Sequence, residues 1–120
     1  LLETAEGRLE RNGDPVYEAD ITGIRDNAFR ALLGGGLILE YREGRFEMRF
    51  TDQEKDSVSA GRGLRYADME EVRDVKILTD VSSVEVFVNG GEYVFSTRFY
   101  PKKDEICVEA DGAEIKFCKI

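Results

Sequence analysis

The sequence predicts an all-β fold in which two antiparallel sheets pack as a β-sandwich of about eight to ten short strands. Apolar and polar residues alternate with a period of two along most of the chain, and no stretch has a convincing helical period. Residues that favour turns fall between the alternating runs, as a meander of antiparallel strands requires. The 120 residues, 42% of them hydrophobic, suffice for one domain with a real core, and we see no linker or repeat.

The first alternating runs define three strands with one face towards a core. Their apolar positions are Tyr17, Ala19 and Ile21, then Phe29, Ala31 and Leu33, then Phe46, Met48 and Phe50. In the first and third runs the intervening residues are polar, so we expect those residues, including Glu47, to face water. The segment from Thr51 to Glu71 is polar and is predicted to cross between the sheets as a loop.

Turn signals separate the runs. They lie at Asn12-Gly13-Asp14-Pro15, Gly34-Gly35-Gly36, Glu43-Gly44, Asn89-Gly90-Gly91 and Asp111-Gly112. Asn89-Gly90 stands between strands predicted at 83–88 and 92–100, and both residues tolerate the positive φ of a two-residue type I′ turn. We therefore predict a tight hairpin there.

The last turn signal predicts a closing hairpin. If Asp111-Gly112 is its two-residue turn, Ile106 lies opposite Phe117 and Val108 lies opposite Ile115. All four apolar residues then share one face, so the turn chemistry and the hydrophobic pattern agree.

The same register predicts the state of the two cysteines, Cys107 and Cys118. It makes them diagonal neighbours roughly 7–8 Å apart on the opposite face, whereas a disulfide usually requires Cα atoms within about 6.8 Å. We therefore predict free thiols. Free thiols and the lack of a visible signal peptide favour a reducing compartment, and we expect the cytoplasm.

Composition excludes several classes of function. The net charge of −8 and the pI near 4.6 oppose nucleic-acid binding, which uses clustered Lys and Arg. The apolar runs are far shorter than the roughly 20 residues of a membrane helix. The chain contains no His, which removes Ser-His-Asp triads, Cys-His dyads and His-ligated zinc. We predict no catalytic residue, cofactor or metal site.

Two weaker candidate sites concern carbohydrate. Glu85 and Glu92 flank the Asn89-Gly90 turn and could imitate the paired carboxylates of a glycosidase, but solvent-facing strand positions on a hairpin are the favoured explanation. A sugar-binding platform would use the tyrosines that the predicted core does not take. These are Tyr41, Tyr66, Tyr93 and Tyr100.

Between Val75 and Pro101 the sequence carries a distinctive motif. The segment from Asp80 to Glu92 reads D-V-S-S-V-E-V-F-V-N-G-G-E, and Arg98-Phe99-Tyr100-Pro101 closes the following strand. This region resembles the C-terminal domain of glycoside hydrolase family 32, the group of invertases, levanases and sucrose-6-phosphate hydrolases. The hairpin pattern between Leu37 and Phe50 is similar as well. The residues that match the family motif have structural explanations as a strand-turn-strand unit: Asp80, Ser82, Ser83, Glu85, Phe87, Asn89, Glu92, Arg98 and Pro101.

The resemblance implies which domain carries the catalytic residues. Members of this family join an N-terminal five-bladed β-propeller, which holds a nucleophile Asp, a stabilising Asp and an acid/base Glu, to a C-terminal β-sandwich. None of the propeller motifs is present, so residues 1–120 are expected to form a single C-terminal module that is not an enzyme by itself. The parent is expected to be a retaining β-fructosidase.

The expected partners follow from the same resemblance. The module is expected to dock on the propeller, stabilise it and contribute to homo-oligomers. The alternatives are a fructan-binding, lectin-like module with a tyrosine-lined groove, and a complete small glycosidase with two carboxylates converging in a cleft.

Overall fold

The computed structural model describes residues 2–51 and 64–120. In these ranges all regular structure is β-strand, and all strand pairs are antiparallel. The strands are β1 (Leu2–Asn12), β2 (Tyr17–Thr22), β3 (Phe29–Leu33), β4 (Leu37–Arg42), β5 (Arg45–Phe50), β6 (Leu64–Asp68), β7 (Asp74–Asp80), β8 (Ser83–Val88), β9 (Tyr93–Arg98) and β10 (Glu105–Lys119). The described part of the chain has no helix that could span a membrane.

The strands form two layers, which confirms the predicted sandwich. The first layer runs β6-β5-β4-β3 and continues into the first half of β10, while the second runs β9-β8-β7-β2 and continues into its second half. Phe46 of β5 and Phe95 of β9 meet across the interior with ring centroids 5.3 Å apart. β1 pairs with both halves of β10, so a two-stranded ribbon joins the layers.

The closing hairpin predicted at Asp111-Gly112 is wrong, because these residues form a corner within β10. The pairing of β1 with β10 jumps from Arg8↔Glu109 to Glu6↔Glu114, which sets four residues of β10 against Gly7 alone. Gly7 and Gly112 have φ of 74° and 69°, a conformation that glycine adopts without strain. The ribbon therefore folds over the end of the sandwich here.

The corner explains why the hydrophobic pattern nevertheless fitted. Ile106, Val108, Ile115 and Phe117 are all buried, as predicted, but they belong to opposite layers. Ile106 pairs with Leu33 of the first layer, and Phe117 pairs with a residue of β2 in the second. These side chains point towards the core in a hairpin and in a folded ribbon, so the hydrophobic pattern alone could not distinguish the two structures.

The predicted free thiols are confirmed, although for a different reason. Cys107 and Cys118 are both free and lie eleven positions apart on the single strand β10. Cys107 pairs with Leu32 of the first layer, and Cys118 pairs with Glu18 of the second. A buried residue lies next to each cysteine along β10, so the two thiols lie on the outer faces of opposite layers and cannot form a disulfide.

Three of the predicted runs are strands with their apolar residues inside. Residues 17, 19, 21, 29, 31 and 33 are all buried. In β5, Phe46 and Met48 are buried and Phe50 is half-buried. The prediction for Glu47 is wrong: it is only 6% exposed, because the guanidinium groups of Arg42 and Arg49 lie 3.2 and 3.9 Å from its Oε1. Paired charges allow a carboxylate to be buried.

The prediction of one long crossing loop from Thr51 to Glu71 is also wrong in part. Leu64–Asp68 form the edge strand β6, which pairs with β5. The crossing to the second layer takes place in the short segment 69–73, where Met69 and Val72 are buried in the core. Residues 52–63 lie outside the described residues. The prediction of short strands fails for β1 and β10, which have 11 and 15 residues.

The connections divide between the two ends of the sandwich. One end, here called the Pro101 end, carries the connections 13–16, 34–36, 81–82 and 99–104. The other, the Asn89 end, carries 23–28, 43–44, 69–73 and 89–92, together with the corner of β10. Every residue matching the family motif lies in or beside the second layer, between these two ends.

Candidate functional site

One part of the motif assembles at the Pro101 end. Asp80 pairs with Ser83, and Ser83 pairs with Arg98 on the next strand. The Asp80 carboxylate accepts a 2.7 Å hydrogen bond from the Val81 amide in the β7–β8 turn. The Ser82 carbonyl accepts a 3.0 Å bond from the amide of residue 99. These contacts fix the turn and the start of the segment that follows β9.

The last motif residue, Pro101, packs against the β3–β4 turn. Gly34 donates its amide to the Glu105 carbonyl at 2.8 Å and accepts from the Lys102 amide at 3.1 Å. A Cβ placed on Gly34 would lie 2.4 Å from the Pro101 Cβ and 2.9 Å from the Phe99 ring. The glycine cluster was predicted only as a turn between strands, and the close approach of Pro101 and Phe99 that requires a glycine at position 34 was missed.

The other part of the motif lies at the Asn89 end, and here the predicted turn is wrong. Val88 pairs with Tyr93, so the hairpin loop has four residues rather than two. Asn89 has φ of 55° and is only 7% exposed. Its Oδ1 accepts the Arg73 amide at 2.7 Å, and its Nδ2 donates to the Glu71 carbonyl at 2.8 Å. The side chain thus fastens the crossing segment 69–73.

A second asparagine holds the same segment. Asn27 has φ of 57°, and its Oδ1 accepts the Val72 amide at 3.0 Å. Sequence reasoning missed Asn27. The available signal was Asp26-Asn27, a pair that tolerates positive φ, directly before a strand.

The two tempting carboxylates do not form a catalytic pair. Glu85 is exposed on the outer face of β8, between Leu78 and Ser96. Glu92 lies in the loop at the Asn89 end, where its carboxylate is 3.8 Å from the Arg73 guanidinium. Two glycosidase carboxylates must flank one scissile bond. Glu85 lies on an open strand face and Glu92 lies in a loop beside Arg73, so the two do not form such a pair.

The four candidate tyrosines do not share a surface. Tyr41 points inward, and its hydroxyl donates a 2.6 Å hydrogen bond to a carbonyl of the crossing segment. Tyr66 lies on the outer face of the first layer beneath the Arg45 guanidinium, 3.8 Å from its ring centroid. Tyr93 packs against the core of the second layer, and Tyr100 is exposed at the Pro101 end. The tyrosine-lined groove of a lectin-like module is not formed by these residues.

An open depression of about 680 Å³ lies on the outer face of the second layer. Phe87 and Leu78 contribute to its apolar part, and Lys116, Asp20 and Lys76 line it as well. The Lys76 ammonium and the Asp20 carboxylate are 3.8 Å apart. A hydrogen bond with the Asp20 carboxyl raises the pKa of neighbouring Glu18. Among the described residues, no group of three or more Asp, Glu or Cys could hold a metal ion.

The Pro101 end also exposes apolar side chains. The four most exposed large hydrophobic residues of the described chain are Leu2, Val81, Tyr100 and Ile120, with 62%, 63%, 67% and 71% of their surface accessible. They stand at the same end of β1, the β7–β8 turn, the segment after β9 and the end of β10. With about 4.8 Å between neighbouring strands, this apolar rim extends for about 24 Å.

Comparisons with known proteins show which sequences this chain is similar to. The family model described as glycosyl hydrolases family 32 C terminal matches residues 40–120. Sucrose-6-phosphate hydrolase from Klebsiella pneumoniae is 38% identical over 64 residues, which cover 48% of this chain and 14% of that protein. The corresponding enzyme from Salmonella typhimurium is 53% identical over 30 residues, 25% of this chain and 6% of that protein. The chain therefore spans only a small part of these curated relatives.

Solved structures show the same fold. The sucrose-6-phosphate hydrolase of Lactobacillus gasseri superposes with a TM-score of 0.70 at 14% identity, over 94% of this chain and 28% of that one. A glycoside hydrolase family 32 protein of Bifidobacterium adolescentis gives 0.72 at 20% identity, over 93% and 19%. Sheep galectin-11 gives 0.54 at 12% identity, over 92% and 95%. At these identities the likeness concerns the fold alone.

Proposed function

The chain belongs to glycosyl hydrolase family 32 as its C-terminal domain, and on that premise we propose that it is a non-catalytic module that docks on and stabilises the catalytic domain of a β-fructofuranosidase-type glycosidase. The curated relatives are named sucrose-6-phosphate hydrolases. The parent enzyme accordingly hydrolyses sucrose, sucrose 6-phosphate or a fructan, with retention of configuration. The two free thiols favour a cytoplasmic enzyme.

The apolar rim is the observation that carries the docking proposal. Soluble domains seldom expose several large apolar side chains together unless another surface covers them. The motif contacts around the β7–β8 turn and after β9 fix the backbone next to Val81 and Tyr100. Residues of the family motif therefore position two side chains of the rim. Covering one such side chain contributes roughly 1.5–3 kcal/mol.

The chain connection favours the same surface. A catalytic domain that precedes this module joins it at β1, and Leu2 at the start of β1 is the first residue of the rim. A covalent linker gives the docking partner a high effective concentration, so a modest apolar contact suffices.

The side chains of this module support the proposal that it is not catalytic. The chain has no His, and Glu85 and Glu92 face different surroundings. The general acid of a glycosidase requires a carboxyl in apolar surroundings beside a second carboxylate. The chemistry is therefore assigned to the catalytic domain of the parent.

A fructan-binding module is the second candidate, and the open depression beside Phe87 is the observation that favours it. Sugars stack on aromatic faces and bond to charged side chains, and Phe87 lies beside Lys76 and Asp20 there. Titration calorimetry of this chain with sucrose, inulin and levan, with an assay for released fructose, separates the candidates. The docking proposal predicts neither heat nor fructose. Heat without fructose would favour the binding module, and fructose would overturn the assignment of catalysis to another domain.

Thermal unfolding of the full-length enzyme with and without the module tests docking itself. Docking predicts that the catalytic domain melts at a lower temperature once the module is removed, because the contact stabilises both partners. An unchanged melting temperature of the catalytic domain would contradict the proposal.

A further inference from the structure

Arg98 lies between two side chains of the apolar rim. It ends β9, and the amide of the next residue, Phe99, donates to the Ser82 carbonyl of the β7–β8 turn at 3.0 Å. Val81 stands directly before Ser82, and Tyr100 stands directly after Phe99. The Arg98 side chain is exposed. A surface that covers Val81 and Tyr100 therefore covers the guanidinium of Arg98 as well.

The described part of the module supplies no partner for this guanidinium. Most arginines of the described chain form an ion pair with a carboxylate: Arg8, Arg11, Arg30, Arg42, Arg45, Arg49 and Arg73. The Arg98 side chain has neither an ion pair nor a hydrogen bond with any described residue. Asp80 lies in the same cross-strand row, on the far side of Ser83, and its carboxylate accepts the Val81 amide. The guanidinium is therefore left to water while the rim is uncovered.

A cleft of about 190 Å³ opens beside Arg98 at the Pro101 end. The described residues that line it include aromatic rings and cations but no acidic residue: Gly36, Phe50, Arg98, Phe99, Tyr100 and Lys102. The side chain of an Asp or a Glu from another surface would meet no like charge among these lining residues. The cleft differs in this respect from the chain as a whole, whose net charge is −8.

Docking through the rim places a requirement on the partner surface. A guanidinium that loses its water on burial is destabilising unless an acceptor replaces the water. Because the described module offers none at Arg98, the acceptor has to come from the surface that covers the rim. A carboxylate matches the planar guanidinium with two parallel hydrogen bonds, which makes it the best-fitting acceptor among protein groups.

We propose that Arg98 is the polar anchor of the docking surface and binds a carboxylate of the catalytic domain, an Asp or Glu side chain that enters the cleft beside Tyr100. The anchor rests on the proposed docking through the apolar rim and names the chemistry of its partner. Apolar contacts have no direction, whereas a paired guanidinium and carboxylate fix the orientation of two surfaces. The apolar side chains around Arg98 exclude water from the pair, as at other interfaces where Arg and Tyr carry much of the binding energy.

Calorimetric unfolding of the full-length enzyme with three substitutions at Arg98 tests the anchor. Arg98→Gln should lower the melting temperature of the catalytic domain by roughly 2 °C or more. Arg98→Glu should lower it further, because two carboxylates then face each other, and Arg98→Lys should retain part of the stability because it keeps the charge but not the planar geometry. Arg8→Gln removes the same charge at the opposite, Asn89 end and should have no effect.

The pH dependence identifies the acceptor as a carboxylate. The guanidinium lowers the pKa of a carboxyl that it contacts, so the contact is complete at neutral pH and is lost as acid protonates that carboxyl. The difference in melting temperature between wild type and Arg98→Gln should therefore shrink below about pH 4. A backbone carbonyl as acceptor would give a difference independent of pH, and that result would overturn the proposal.

The rim variant Val81→Ser, Tyr100→Ser separates failure of the anchor from failure of docking. If the rim variant lowers the melting temperature of the catalytic domain and Arg98→Gln does not, docking stands and the anchor is wrong. Equal effects of Arg98→Gln and Arg98→Glu would also overturn the anchor, since a facing carboxylate distinguishes the two. If neither the rim variant nor the Arg98 variants change the catalytic domain, docking through the rim is wrong and the anchor falls with it.

Discussion

Gly34 and Pro101 are in direct backbone-to-ring contact, so close that a Cβ on Gly34 would lie 2.4 Å from the Cβ of Pro101. Gly34 belongs to the β3–β4 turn of the first layer, while Pro101 lies in the segment 99–104 that leaves the second layer. The contact therefore closes the Pro101 end of the sandwich and fixes the segment that presents Tyr100 in the apolar rim.

Substitution of Gly34 by Ala should destabilise the module. The new methyl group meets Pro101 and Phe99, and φ of 57° is unfavourable for Ala. Overpacking costs about 1–3 kcal/mol, and the left-handed conformation adds about 1–2 kcal/mol. Gly44→Ala is the matched control, since Gly44 has φ of 78° but nothing within 4 Å. Urea unfolding should show Gly34→Ala as the more damaging change, and equal losses would exclude the contact as its cause.

Substitution of Asn89 by Ala should weaken the Asn89 end. The change removes the partners of the Arg73 amide and the Glu71 carbonyl, and we expect a loss of about 1–3 kcal/mol in the free energy of unfolding. Hydrogen exchange should rise most at the Arg73 amide. Asn12→Ala, at an exposed strand end, should change stability by less than about 0.5 kcal/mol. If both variants had the same free energy of unfolding, the hydrogen bonds of the Asn89 side chain would not contribute to stability.

Substitution of Glu47 by Leu should cost stability, although apolar residues favour strands. Glu47 is nearly buried between Arg42 and Arg49, and the Nη1 of Arg49 is buried without a hydrogen-bond partner. Removing the carboxylate takes away a negative charge next to the buried Arg49 guanidinium. We therefore expect the free energy of unfolding to fall by about 1–3 kcal/mol. Glu85→Leu, on the exposed outer face of β8, is the control. A more stable Glu47→Leu would show that the buried pairs are not favourable.

Acid should weaken the contact between Asp14 and Arg11. The hydrogen bond from Arg11, followed by one from Lys119, holds the pKa of Asp14 below its usual value of 3.8. A carboxyl whose pKa is lowered by folding contributes stability that is complete above its unfolded pKa and is lost as the pH falls through its folded pKa. The difference in melting temperature between wild type and Asp14→Asn should therefore shrink below about pH 4. A difference independent of pH would contradict this.

Strands with one buried face could be predicted from the sequence, and strands at edges could not. In β8, Val84, Val86 and Val88 alternate and are buried, as expected. β1 has a single fully buried side chain, Leu9, because its other residues lie at an edge. In β6 only Ala67 is half-buried. Edge strands therefore carry little of the hydrophobic alternation from which strands are predicted.

The motif was identified from the sequence, but most of its contacts could not be. The dipeptide Asp111-Gly112 suits a hairpin turn and a corner equally well, and the pairing with β1 decides between them. Asn89 suited a turn, whereas its side chain bonds residues 16 and 18 positions away. Such contacts depend on which loops share an end of the sandwich, which a local pattern does not specify.

Calorimetric unfolding of the full-length enzyme with Val81→Ser and Tyr100→Ser together tests the central claim, docking through the apolar rim, most directly. Both side chains are exposed in the isolated module, so the account predicts that the module alone keeps its stability. The catalytic domain should lose about 1–3 kcal/mol of stabilisation and unfold earlier, while Val94→Ser should leave it unchanged. If the rim variant unfolded like the wild type, the rim would not be the docking surface.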